Sequence, residues 1–315
     1  MEPLPHRPEL APIAAATDEG AMPFEAGETW YRITGDLGAN ATPLVVVHGG
    51  PGAPHDYLLR YADLAQAGQS QAARAVIHYD QLGCGRSTHL PDAPDSYWTL
   101  DLFMRELDAL LRRLGIAGRY ALLGQSWGGV LAAEHALTQP AGLRALVLAN
   151  TPASIALWVG EADRLRAALP PEVQATLLRH EAAGTTRDPA YKAACQVFYD
   201  RHVCLLLPPP PEVARTDALL AANMQVFEAM NGPSEFHVVG SMRHWTIVDR
   251  LHRIAVPTLL VSGRHDEATP ATVQPFFDNI PDVRWEIFEQ SSHSPHVEEA
   301  DHCLRVVGDF LRAHA

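Results

Sequence analysis

Four short apolar runs set the rhythm of the first half of the chain: "PLVVVHGG" (43–50), "AVIHYDQ" (75–81), "YALLGQS" (120–126) and "ALVLANT" (145–151). Each is rich in β-formers and stops at a glycine or a polar residue. None alternates apolar with polar, which is the pattern of strands buried on both faces. Helical spacing separates them. In "DLFMRELDALLRRLG" (101–115), Leu102, Phe103, Leu107, Leu110, Leu111 and Leu114 fall along one stripe, and a further helix is expected from Val130 through "VLAAEHALTQP". Strand and helix in alternation predict an α/β fold with a mostly parallel central sheet and helices on both faces. A partly alternating aromatic stretch from Met22 to Gly35 predicts an opening hairpin.

After Thr151 and Pro152 the rhythm changes. Residues 153–245 carry helical periodicity broken by "LPPE" and "LPPPPE", where proline suits the first turn of a helix. No good buried strand is found there. The strand pattern returns at "VPTLLVSGRHD" (256–266) and "VRWEIFEQSSH" (283–293), and a helical "HCLRVVGDFLRA" closes the chain. The expected organisation is a core of residues 23–152 and 246–315, interrupted by a helical cap, 153–245. Residues 1–22, proline-rich, acidic and without a continuous apolar stretch, read as a flexible leader.

Composition narrows the class. In 315 residues, 47% apolar content supports a sizeable core, and a net charge of −13 argues against a surface that tracks phosphates, so no nucleic-acid partner is expected. No run approaches the roughly 18 uninterrupted apolar residues of a membrane span. Cys84, Cys195, Cys204 and Cys303 form no C-x-x-C pair and read as reduced thiols, placing the protein in the cytoplasm. Nothing in the sequence sets the oligomeric state.

Candidate chemistry centres on Gly124-Gln125-Ser126-Trp127-Gly128, a G-x-S-x-G between a strand and a helix. That setting turns the chain sharply enough to expose the serine hydroxyl. A serine needs a base, and the base needs an acid to orient it. In this architecture the partners follow in the order serine, acid, histidine, at the ends of later strands. Asp266 and His293 end the last two strands in that order. His265 and His296 compete as bases and Glu267 as the acid. Glycine-rich "HGGPG" ends the first buried strand, and its Gly50 amide, with that of Trp127, is the expected donor pair for a developing oxyanion. His48 reads as a packed, orienting residue. No H-E-x-x-H pattern is present, and neither metal nor cofactor is expected.

"HGGPG" (48–52), "YDQLGCGRS" (79–87), "GQSWGG" (124–129), "MNGPSEF" (230–236) and "HDEATP" (265–270) together make the chain resemble the proline iminopeptidase family of α/β-hydrolases, in the branch with tricorn-interacting aminopeptidases and amino-acid amidases. The resemblance covers roughly residues 25–310. It implies a metal-free serine hydrolase that cleaves the amide bond after an unblocked N-terminal residue of a short peptide or amino-acid amide. It further implies that Glu235 and Glu267 hold the substrate's α-ammonium, that Asp80 and Gln81 are structural, and that the cap closes over the substrate. A carboxylesterase or lactonase with the same fold, for which the glutamates would be irrelevant, is one alternative. A non-catalytic ligand-binding protein is another. Dehalogenase or epoxide hydrolase chemistry would place an aspartate where Ser126 stands.

Overall fold

The computed structural model describes residues 12–66 and 74–315. Eight strands form one sheet: β1 (Asp18–Phe24), β2 (Gly27–Thr34), β3 (Leu44–Val47), β4 (Val76–Tyr79), β5 (Tyr120–Gln125), β6 (Leu143–Ala149), β7 (Thr258–Gly263) and β8 (Val283–Phe288). Their spatial order is β1-β2-β4-β3-β5-β6-β7-β8. β1 and β2 are antiparallel to their neighbours, and all pairings from β4 to β8 are parallel. This is the α/β-hydrolase arrangement expected.

The expected leader ends sooner than Met22. Residues 1–11 lie outside those described, and β1 starts at Asp18, pairing with Ile33 in register through Phe24 and Gly27. Only Met22 and Phe24 of this strand are buried, so its first residues are held by backbone pairing and carry little apolar signal.

The central strands explain why unalternating sequence makes good β here. In β3, Leu44 and Val46 face one side of the sheet, against Leu58, Tyr61, Val307 and Phe310. Val45 and Val47 face the other, with Leu107, Leu131 and Phe276. All four β3 side chains are fully buried, each contributing about 1.5–3 kcal/mol. One layer is therefore the 3₁₀ segment His55–Ala65 with a C-terminal helix, Ala300–His314, and the other contains α1 (Leu100–Arg113) and α2 (Trp127–Leu137). α2 begins at Trp127, three residues before the helix expected from Val130, because Ser126 itself occupies the position preceding the first turn.

Between β6 and β7 the chain leaves the sheet for α3 (Ile155–Ala167), α4 (Pro171–Ala183), α5 (Pro189–His202), α6 (Pro211–Ala222) and α7 (Gln225–Met230). α4, α5 and α6 each have a proline in the first turn. Trp158, Leu177, Tyr191, Phe198 and Phe236 form a separate apolar cluster. The excursion is pinched at its root: Ser154 bridges Thr246, the Ile155 amide donates to the Trp245 carbonyl (3.0 Å) and the Ile247 amide to that of Ala153 (3.1 Å). On its far side α6 rests on the 3₁₀ segment. There Arg215 pairs with Asp56 at 3.2 Å, and the Thr216 hydroxyl accepts the Tyr57 amide at 3.0 Å. After β7 follow α8 (Pro270–Asn279), α9 (Pro295–Glu298) and α10 (Ala300–His314). No helix among the described residues is long and apolar enough to cross a membrane.

In the strand-to-helix turn of the β5–α2 unit, backbone packs directly on backbone. A Cβ on Gly128 would lie 2.1 Å from the Val47 carbonyl oxygen, and one on Gly124 would lie 2.2 Å from that of Gly128. Main chain cannot yield there as a side chain could. Gly128→Ala is expected to destabilise the protein by on the order of 3 kcal/mol, read as a lower denaturant midpoint with an unchanged slope.

Candidate active site

Ser126 stands at the apex of that turn with φ 55° and ψ −124°, a conformation costly for a residue with a side chain. Its amide donates to the Ala149 carbonyl (2.9 Å), and its own carbonyl accepts from Gly129, Val130 and the Thr151 hydroxyl. The turn is thus fixed from both sides. Its hydroxyl faces a cavity lined by Gly50, Trp127, Trp158, Asn231 and Glu235 among others.

Asp266 and His293, from the loops after β7 and β8, meet as the order of motifs predicts. His293 Nδ1–H donates to Asp266 Oδ1 at 2.6 Å. The other carboxylate oxygen accepts Asn150 Nδ2 at 2.6 Å, and Oδ1 also takes the Ala268 amide at 2.8 Å. Asp266 is buried, with donors on both of its oxygens. Burial pulls the His293 pKa down, but the charge of Asp266 and its hydrogen bond outweigh this and raise it above the ordinary value. No hydrogen bond joins Ser126 Oγ to His293 Nε2 among the described residues. The two loops are joined instead by Gln125 Nε2–H donating to the His293 carbonyl at 3.1 Å.

The competing groups are placed elsewhere. His265 is exposed. His296 is fully buried, donates through Nε2 to the Tyr57 carbonyl (2.9 Å), and stacks on Tyr61. Burial lowers its pKa to about 3, leaving it neutral. Glu267 points past the imidazole, its Oε1 3.9 Å from His293 Nε2.

The glycine turn after β3 is locked by His48. Gln81 N–H donates to its Nε2 at 2.9 Å, so Nδ1 carries the proton and donates to the Gly49 carbonyl at 3.0 Å. Burial lowers the His48 pKa to about 4, which preserves this neutral tautomer. In a trans peptide C=O and N–H point opposite ways, so the hold on the Gly49 carbonyl directs the Gly50 amide. The Gly50 and Trp127 amides take no acceptor among the described residues. Gln81 also accepts the Trp127 indole N–H at 2.9 Å, tying the two donor-bearing segments together. Asp80 takes the His55 amide and imidazole (both 2.8 Å) and the Arg86 amide (2.8 Å). Burial alone would raise its pKa, but these contacts hold it down at about 2. Both residues are structural, as expected.

Glu235 and Glu267 come together from the excursion and the core. Trp158 Nε1–H donates to the Glu235 carbonyl (2.9 Å), and the Glu235 amide to the Tyr199 hydroxyl (3.4 Å). Burial raises the Glu235 carboxyl to about 7, against the opposing pull of His293. Glu267 is pushed well above the carboxylate range, by burial first, then by the charges of Glu235 and Asp266. Its Oε2 is buried without a hydrogen-bond partner. Two carboxyls that repel each other in a dry site do not both ionise readily unless a cation joins them. Among the described residues no three His, Cys, Asp or Glu side chains stand together as a metal-ligand set.

Sequence reasoning missed Asn150, Tyr57 and Gln125. Asn150 adopts φ 54° at the end of β6, and the only hint was a polar residue where an apolar run stops.

Comparison with known proteins follows the same lines. Residues 42–300 match the α/β hydrolase fold family. The proline iminopeptidase of Lactobacillus helveticus is 36% identical over 94% of this chain and 98% of its own. The crystal structure of VinJ is 52% identical with a TM-score of 0.92, covering 96% of this chain and 100% of that one. That of the Mycobacterium smegmatis proline iminopeptidase is 49% identical with a TM-score of 0.85, covering 94% and 98%.

Since Asp266 is what lifts the His293 pKa, Asp266→Asn should drop it below 6.5. Histidine NMR titration, with the resonance assigned by its loss in His293→Ala, checks this.

Proposed function

We infer the reaction of a chain that belongs to the proline iminopeptidase family of α/β-hydrolases: it is a serine hydrolase, an aminopeptidase acting on the amide bond after a free N-terminal residue. The observation that carries the substrate assignment is the Glu267 carboxylate, buried beside Glu235 with an unpartnered oxygen and 3.9 Å from His293 Nε2. A substrate α-ammonium supplies the missing cation and hydrogen-bond donors. Its scissile carbonyl carbon, two bonds from the ammonium nitrogen, then lies within reach of Ser126.

His293 Nε2 takes the proton of Ser126 Oγ as that oxygen bonds to the carbonyl carbon. The C=O electron pair moves to oxygen, where the Gly50 and Trp127 amides receive it. Asp266 stabilises the imidazolium. Collapse breaks the C–N bond, and the leaving amine takes the proton from His293. Water, deprotonated by the same imidazole, then cleaves the acyl-enzyme and frees the N-terminal amino acid. Residues 153–245 serve as the cap: Trp158 and Glu235 belong to it and line the cavity at Ser126, so the cap both covers the site and supplies one of its ammonium-binding groups. The substrate is a short peptide or an amino-acid amide. Four buried cysteines outside any disulfide suit a reducing compartment, and we assign the enzyme to the cytoplasm.

Ser126→Ala should lower kcat by on the order of 10⁴-fold or more, measured on aminoacyl p-nitroanilides. Glu235→Gln or Glu267→Gln should raise KM for free-amine substrates by about 10–100-fold while leaving simple esters nearly unaffected. Equal effects on both would remove the ammonium site.

The pH dependence has a definite sign. Glu235, near 7, Glu267, pushed well above the carboxylate range, and His293, raised above its ordinary value, must all lose a proton before a cationic substrate reacts. The acid limb of kcat/KM should be steeper for free-amine substrates, which need both glutamates and His293 deprotonated, than for neutral esters, which need only His293 deprotonated and should show a one-proton slope. The substrate's own amine, pKa about 8, sets the alkaline limb only for the former.

A further inference from the structure

Tyr57 lies in the 3₁₀ segment just after the glycine turn, and it joins that turn to parts of the chain far away in sequence. Its hydroxyl accepts the Gly49 amide at 2.7 Å and donates to Gln125 Oε1 in a very short hydrogen bond. Burial pushes its phenol far above the ordinary value, with the Gly49 bond opposing and the charge of Glu235 adding, so it stays protonated and remains a donor. Gln125 then passes the connection on, its Nε2–H reaching the His293 carbonyl at 3.1 Å. The main chain of Tyr57 joins two more parts. Its carbonyl accepts His296 Nε2 from α9, and its amide donates to Thr216 of cap helix α6.

We propose that Tyr57 and Gln125 are positioning residues, a hydrogen-bond relay that fixes the oxyanion turn, the serine elbow and the histidine loop relative to one another. Each member has its donors and acceptors committed in one direction. The Gly49 amide can only donate, the phenol takes it and donates onward, and the carboxamide accepts on oxygen and donates from nitrogen. Breaking any bond leaves a buried partner unpaired. The relay also explains the first glycine of the turn: a Cβ on Gly49 would lie 2.7 Å from Tyr57 Oη, 2.9 Å from Gln125 Oε1 and 3.0 Å from Ser126 Cβ. His48 holds the Gly49 carbonyl while Tyr57 holds its amide. The Gly50 N–H is therefore aimed from both ends of the residue before it. This acts on the position of an amide used in the transition state, so its loss should appear in kcat rather than in substrate binding.

The proposal rests on the roles given above to Ser126, His293 and the Gly50 amide, and the experiment separates the two. Wild-type, Tyr57→Phe, Gln125→Met and the double variant are compared on the best aminoacyl p-nitroanilide, on its matching α-aminoboronate (a mimic of the tetrahedral species), and on the free amino-acid product. For Tyr57→Phe, kcat should fall about 10–100-fold with KM within about 3-fold. Boronate affinity should fall by the same factor, with product affinity unchanged. The double variant should lose no more than about 3-fold beyond the worse single one, since both interrupt one chain. Unaltered kcat, product affinity falling in step with boronate affinity, or losses that multiply in the double variant would each overturn the relay. Failure of a fluorophosphonate to label Ser126 in the wild-type protein would overturn the functional reading and the relay with it.

Discussion

The arrangement around Ser126 depends on a contact between main-chain atoms: the end of β5 and the start of α2 are pressed against the end of β3, with no room for a Cβ at Gly124 or Gly128. Backbone packed on backbone is far stiffer than side chain on side chain, and it can hold a serine at φ 55° that would otherwise relax. The same contact sets the separation between the oxyanion turn, which follows β3, and the serine, which follows β5. Gln81, His48, Tyr57 and Gln125 then adjust direction within a spacing that the glycines have already imposed.

Two adjacent acids in the loop after β7 show how environment divides one chemistry into two roles. Asp266 is surrounded by donors from His293, Asn150 and the Ala268 amide, so both of its oxygens are hydrogen-bonded although it is buried. Glu267, the next residue, is equally buried but has an oxygen with no donor at all and two other carboxylates nearby. The first is stabilised by the fold and serves the histidine. The second is destabilised by the fold, and the substrate ammonium proposed above would relieve it. Trp158 and Tyr199 hold the Glu235 main chain from the cap side, so the proposed cation site would draw on core and cap together.

Much of this was legible in the sequence, for physical reasons that differ by element. Strands buried on both faces must be apolar throughout, so β3 to β7 declared themselves. Serine, aspartate and histidine in chain order at successive strand ends were readable because parallel topology carries each strand end to one edge. Less was visible where backbone does the holding: β1 extends to Asp18 with exposed side chains, and α2 starts at Trp127 within a glycine-rich stretch. The relay and Asn150 were not visible at all. Asn150 finds Asp266 across 116 residues, Tyr57 finds Gln125 across 68, and Gln125 finds His293 across 168. Each is an ordinary polar residue beside a recognisable motif, and only the folded geometry gives it a partner.

The central claim is that the site is built around a substrate cation, and one comparison tests it most directly. Steady-state kcat/KM is measured for one aminoacyl naphthylamide with a free amine and for the same compound N-acetylated, at a pH where the amine is charged. Acetylation removes the charge and leaves the scissile bond alone. The account predicts that the free amine is preferred by about 100-fold or more, the loss of charge-assisted hydrogen bonds to two buried carboxylates. Equal turnover of the two compounds would contradict it.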